Sequence, residues 1–391
     1  MREKDPRLAA LTKARPAALD PDRLAGSRRQ HDDLVAILAT EPGSARTRRP
    51  ARTYRWIAIP VAGLAVAVAG VVVVATTLSS PPSRSTPTVA AATNNHQPSA
   101  TPDGQVVLLD VAKAIEHETG SGAYWEQDTR SGTVGIVHGA QPYSIASTDQ
   151  QRWSIGVRPG EQSLWQSGIN ATTQPRTAQD RARWQAAGSP THVQLDTGLV
   201  KPGAPSGVLL DTTIGAHHQF EAPTNDGSDI LSIGADNVTY ADLQRLPSDV
   251  AGLTNYLAQQ YTQDKEGFTD SRTEWMFRQA SDLIEMPVSS QVRASAYRIL
   301  AALPGITSLG TVTDALGRTG VGVAVAPWQQ GDLGTAQEEL IVDTTTNTLL
   351  ADQIVLVRPS SVATAAGLAA GTPLYYTATT QIGWTNQPLH G

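Results

Sequence analysis

The side chains able to do chemistry in this chain are few and poorly spaced for it. His117-Glu118 opens like the zinc-binding helix of a metalloprotease, but the position where the second histidine is required holds Ser121. His217-His218 offers two imidazoles, yet adjacent residues on an extended strand face opposite ways, so the pair reads as solvated loop histidines. Asn225, Asp226, Ser228 and Asp229 supply oxygen atoms around Gly227 but lack the closing glutamate of a calcium loop, which leaves a polar turn. There is no Gly-x-Ser-x-Gly elbow, no phosphate-cradling glycine loop and no Ser-x-x-Lys pair. Cysteine is absent, which excludes a disulfide scaffold, a thiol nucleophile and thiolate-based metal sites. The expectation is a protein without catalytic residues, metal or cofactor.

What organises the chain is one uncharged run, WIAIPVAGLAVAVAGVVVVATTL, with Trp56 and Leu78 at its ends and no charged residue between Arg55 and Arg84. At about 1.5 Å of rise per residue a helix of this length covers the roughly 30 Å hydrocarbon core of a bilayer. A single span satisfies its backbone in lipid only as a helix. Arg46, Arg48, Arg49, Arg52 and Arg55 precede the run, whereas Arg84 alone follows closely, so the bias of positive charge places the start of the chain in the cytoplasm and the remainder outside. A cleaved signal peptide has a shorter apolar region and basic flank, so the run reads as an uncut anchor.

The charge agrees. Residues 1–55 carry 13 Lys and Arg against 7 Asp and Glu, and the rest carries 17 against 29, so a basic inner segment sits beside an acidic exterior. The basic flank suits anionic lipid rather than nucleic acid. Gly63 with Ala67 and Ala65 with Ala69 stand at the small-residue spacing of dimerising spans, which composition alone explains as well as dimerisation does.

The expected organisation is therefore a basic cytoplasmic segment with short helices (1–53), a transmembrane helix (54–78), a stalk rich in Pro, Ser and Thr (79–104) and an extracytoplasmic domain (105–391). Within the last, helical patterns cover 106–117, 177–187, 248–261, 273–284 and 289–303, with Pro287 breaking the chain between the final two. Short strand patterns cover 122–127, 133–138, 152–157 and 162–167, and a loop-rich stretch runs from 188 to 239. Hairpins follow at 306–326 and 339–357, with 375–380 closing the sheet. Strands, helices and then hairpins imply an α+β fold with a mainly antiparallel sheet and packed helices. Trp125, Trp153 and Trp165 fall on strands and are candidates for one apolar face, although core packing is the commoner fate of a strand tryptophan.

Several segments carry a resemblance. LDPDRLAGSRRQHDDLVAIL (19–38) stands ahead of the arginine-rich flank and the span. Outside are Trp184-Gln185-Ala186-Ala187-Gly188-Ser189-Pro190, Leu246-Pro247-Ser248-Asp249, VRASAYRILAALPGITSLGTVTDALGRTGVGVAV (292–325) and Glu338-Glu339-Leu340-Ile341-Val342-Asp343. On these the chain resembles actinobacterial single-span membrane proteins of uncharacterised function with anti-sigma-factor-like architecture. The order of helix pair, Leu-Pro-Gly strand and hairpins is also similar to lipoprotein-carrier and sigma-regulator periplasmic domains, which implies a curved sheet around an apolar cavity. The inner segment is shorter than an ordinary anti-sigma domain and, lacking cysteine, is not the zinc-binding kind.

Two functional classes follow. One is a membrane-anchored extracytoplasmic sensor or binding module, regulatory through a cytoplasmic protein partner of its inner segment. The other is a tethered carrier or chaperone-like domain that holds a lipid, peptide or other apolar ligand in its sheet.

Overall fold

The computed structural model describes residues 103–157, 161–198, 209–224, 231–234, 236–264, 271–387 and 389. The inner segment, the run from Trp56 to Leu78 and nearly all of the stalk lie outside the described residues, as does the acidic turn around Gly227. Among the described residues no helix is long and apolar enough to cross a membrane.

The described chain is an α+β domain with one large antiparallel sheet. It opens with helix α1 (Gly104–Ile115), whose cap is Asp103, accepting from the Gln105 N–H at 2.9 Å. Strands β1 (Tyr124–Val137), β2 (Tyr143–Gly156) and β3 (Ser163–Pro175) follow, then helix α2 (Ala178–Ala186). Next come the shorter β4 (His192–Asp196), β5 (Leu209–Thr213), β6 (Gly215–Ala216), β7 (Phe220–Thr224), β8 (Leu231–Ile233) and β9 (Asp236–Val238). A helical block succeeds them: α3 (Tyr240–Leu243), α4 (Val250–Asp264), α5 (Arg272–Glu285) and α6 (Ser290–Ala302). The chain ends in β10 (Thr307–Thr313), β11 (Thr319–Ala324), β12 (Trp328–Gln330), β13 (Gly334–Asp343), β14 (Thr348–Pro359), a short helix α7 (Ser361–Ala365) and β15 (Thr372–Thr385).

The main path through the sheet is β10-β11-β13-β14-β15-β1-β2-β3, with β6 and β7 beside β3 and β4 linking β1 to β5. The late hairpins thus continue directly into the early strands, because β15 pairs along β1 from Tyr124 opposite Thr385 to Thr133 opposite Tyr375. The segment expected to close the sheet is instead a central strand.

The short strands expected at 122–127 and 133–138 are one continuous strand, β1. Ser131-Gly132 reads locally as a turn, but both residues stay in register with β2 and β15. Glycine is needed there because the Tyr376 ring lies over it: a Cβ on Gly132 would stand 2.1 Å from Tyr376 Cε1. The stretch from 188 to 239, loop-rich by its sequence, holds six short strands, whose periodicity is too brief to register there.

The helices lie as the local code dictates. Ser271 and Glu274 cap each other's backbone at the start of α5, and Ser289 accepts from the Val292 N–H to start α6. Between them Pro287 brings a backbone without a donor, so the two helices meet at an abrupt corner. Their buried residues, Trp275, Phe277, Leu283, Val292, Tyr297 and Leu300 among them, join Leu108 and Val111 of α1 and Leu340, Val342 and Leu349 of the sheet in the main core. A smaller core sits where α7 and Leu368 cover Val134, Ile136 and Leu356. Glu116, just past α1, grips Arg298 of α6 through two bonds of 3.1 and 2.6 Å, fixing the first helix to α6.

Candidate functional site

A cleft of about 370 Å³ opens where the α5–α6 corner meets the ends of β1 and β15 and the tip of the β13–β14 hairpin. One face of α6 forms its back. Ser290, Arg293 and Tyr297 recur at helical spacing and all line it. The positive end of α6, marked by Ser289 and Ser290, borders the same space.

Arg293 is held in three ways. Its Nε donates to the Ile284 carbonyl at 2.9 Å and its Nη2 to the Met286 carbonyl at 3.0 Å, satisfying the exposed end of α5. Its guanidinium lies 4.7 Å from the centre of the Trp125 ring. No carboxylate lies within ion-pair distance of it among the described residues. Burial disfavours its charge and lowers its pKa, opposed by the fields of Tyr297 and Glu118. One turn on, Tyr297 is 1% exposed and its hydroxyl has no hydrogen-bond partner. Burial pushes that phenol well above its usual pKa, so it is a neutral donor.

The walls are aromatic. Trp125 donates its indole N–H to the Glu285 carbonyl at 2.9 Å and meets Trp384 edge-on, ring centres 5.0 Å apart. Tyr240 stands edge-on to Trp384 at 6.2 Å. The sheet register makes the first contact unavoidable, because Trp125 and Trp384 are directly paired across β1 and β15.

Beneath the cleft the polar layer between α5 and the sheet is acidic. Glu285 accepts from the Thr379 hydroxyl and is also bonded to Gln127. Its enclosure pushes its pKa up to about 7, with Asp282 adding to the rise. Asp352 on β14 is raised well above the carboxylate range by desolvation and then by Glu338, Asp282 and Glu285, while Arg278 opposes the rise. Arg278 itself bonds Glu338 at 3.4 Å.

The three tryptophans read from sequence do not share one contact. Register puts them on the same side of the sheet, since Trp153 pairs with Gln127 and Trp165 with Trp153. Only Trp125 reaches the cleft. Trp153 and Trp165 stack on each other with centres 5.4 Å apart, and Phe220 meets Trp165 edge-on at 5.7 Å.

The weak candidates stay apart. His117 is exposed beyond α1, His217 hydrogen-bonds Thr173 Oγ1 at 2.7 Å and His218 is exposed. Among the described residues no three acidic, histidine or cysteine side chains stand together to hold a metal. Arg293, Tyr297, Glu285, Tyr240 and Trp384 escaped the sequence reading. A signal was present in the polar line of Ser290, Arg293 and Tyr297 along a helix otherwise read as an apolar stripe.

No protein-family model matches the chain, and neither a curated protein nor a solved structure matches it.

Proposed function

We propose that this chain is a single-pass membrane protein whose outer domain is a sensor or binding module, receiving a small ligand in the cleft and regulatory through its short inner segment. The observation that carries the reading is the cleft, where Arg293 and Tyr297 line one space walled by Trp125 and Trp384. Its volume falls within the roughly 300–1,000 Å³ of small-molecule pockets, which are largely apolar with a few converging polar groups. Such a set orients a guest; it contains no nucleophile paired with a base, and binding rather than catalysis is its natural use.

The run ending at Trp56 and Leu78, with five arginines before it, supports anchoring with the inner segment in the cytoplasm and lipid around the span. Bulges in the β1–β15 pairing at Asp128/Thr129 and the β14–β15 pairing at Ile354/Val355 support a curved sheet. The likeness to single-span actinobacterial regulators agrees with this arrangement and rests on the sequence segments given above.

Reporter fusions test the anchoring: an enzyme active only outside the cytoplasm works after Gly391 and not before Met1. A soluble mature form starting near Ser79 refutes it. Deleting residues 16–40 abolishes co-purification of a cytoplasmic partner; an unchanged set of partners removes the regulatory half.

A tethered carrier of an apolar ligand is the second reading, favoured by Phe220, half-exposed beside the Trp153–Trp165 stack on the same side of the sheet. Native mass spectrometry of the protein released from its membrane decides it. A bound acyl chain supports the carrier, and a ligand-free mass throughout removes it.

A further inference from the structure

The cleft's polar groups say what kind of molecule it accepts. A part-buried guanidinium with no carboxylate at ion-pair distance is a costly arrangement, because the partial loss of water around the charge is not offset by an opposite charge. The two carbonyls on Arg293 and the Trp125 face hold it in place but do not neutralise it. The start of α6 adds a second positive contribution on the same side. Independently of both, Tyr297 presents a buried hydroxyl whose donor nothing in the protein uses, and a buried donor left unmade costs about 1–3 kcal/mol.

We propose that the cleft is a receptor site for a small, singly charged carboxylate carrying a flat or apolar body, with Arg293 and Tyr297 clamping the carboxylate and Trp125 and Trp384 lining the body. A guanidinium fork matches the two oxygens of a carboxylate in plane, and the phenol donates a further bond to one of them. Glu118 borders the cleft and Glu285 lines its floor, so a doubly charged anion meets repulsion that a single charge compensated by Arg293 does not. The modest volume excludes a two-chain lipid and suits a molecule of one ring or a short side chain. This inference rests on the reading of the cleft as a ligand site.

The same carboxylate chemistry is offered by a free organic acid and by the C-terminus of a peptide. The full chain in lipid nanodiscs, labelled with 5-fluorotryptophan, is titrated with phenylacetate and with its neutral isostere phenylacetamide. A second pair is acetyl-phenylalanine and its primary amide. The fluorine signals of Trp125 and Trp384, assigned by substitution, report occupancy of the cleft.

Each acid is expected to shift both signals and to bind at least about tenfold more tightly than its amide, the ratio of one charge-assisted bond. Tyr297→Phe deletes only an oxygen that bonds nothing in the protein, so its melting temperature does not fall, while acid affinity drops about tenfold and amide affinity changes less. Arg293→Gln brings acid and amide to equal affinity. Tighter binding of acetyl-phenylalanine assigns the natural source to a peptide end, and tighter binding of phenylacetate to a free acid. If acid and amide bind alike, or Tyr297→Phe leaves acid affinity unchanged, the carboxylate assignment falls while the cleft as a ligand site stands. If no probe moves either signal at saturating concentration, both fall.

Discussion

Glu285 makes the stability of this domain depend on pH in a direction opposite to that of most carboxylates. Its pKa rises on folding from the usual 4.5 to about 7, because the folded protein desolvates the carboxylate and sets it near Asp282. The folded state therefore holds the proton more tightly than the unfolded chain. The associated stability is fully present below about pH 4.5, declines as pH climbs towards 7, and is gone above it. The rise from 4.5 to about 7 sets the full swing at about 3 kcal/mol. Glu285→Gln keeps an oxygen to accept from Thr379 and a shape that bonds Gln127, but carries no proton to lose. Near pH 4.5 the two proteins should melt within about a degree of each other. At pH 8 the variant should be more stable by up to about 3 kcal/mol, which for a domain of this size is about 6 °C. Asp352 has the same sign and is present in both proteins, so it steepens both curves without creating their difference, except that neutralising Glu285 also eases Asp352. The assay is calorimetric melting across pH 4.5 to 8.5 at constant ionic strength. Parallel curves for the two proteins, or a wild type that gains stability between pH 5 and 8, would refute the enclosure of Glu285.

Three further changes probe the parts that shape the site. Trp125→Phe removes the indole donor to the Glu285 carbonyl and shrinks the platform under Arg293, and should cost about 2 kcal/mol in denaturant unfolding. Gly132→Val drives a side chain into the Tyr376 ring and should cost more than about 2 kcal/mol, with Tyr376→Ala in the same chain restoring part of the loss. Asp180 is buried and accepts from the N–H and hydroxyl of Ser144 and of Thr177, so Asp180→Asn turns an acceptor into a donor facing donors. The melting temperature should fall by the equivalent of about 3 kcal/mol, far more than for Asp180-distant surface changes such as Arg245→Ala.

Much of the domain was legible wherever the physical signal is local. The break at Pro287 and the apolar repeat of Val292, Ala296, Ile299 and Leu300 place α5 and α6 to within a residue at each end, since helix ends are fixed by residues within a turn. The β13–β14 hairpin is equally plain from the apolar runs Leu340–Val342 and Leu349–Ala351 on either side of a polar turn, in which Asn347 has a φ of 57°. The fold class follows from the order of such elements, and the uncharged run with its arginine flank carries its own argument about membrane and orientation without any tertiary contact.

Tertiary structure alone decided the rest. Nothing near Gly132 announces that the strand continues through it, because the reason is a tyrosine more than 200 residues away. The pairing of β1 with β15 joins segments whose individual patterns specify a strand but not a neighbour, and it is that register which brings Trp384 to Trp125. The cleft is assembled from the end of α5, the first turns of α6, two strand ends and a hairpin tip. Arg293 and Tyr297 look in sequence like ordinary members of an amphipathic helix. Only the packing of that helix against the sheet buries the Tyr297 hydroxyl and cuts back the water around Arg293, and desolvation is what turns a commonplace arginine and tyrosine into groups that demand a partner.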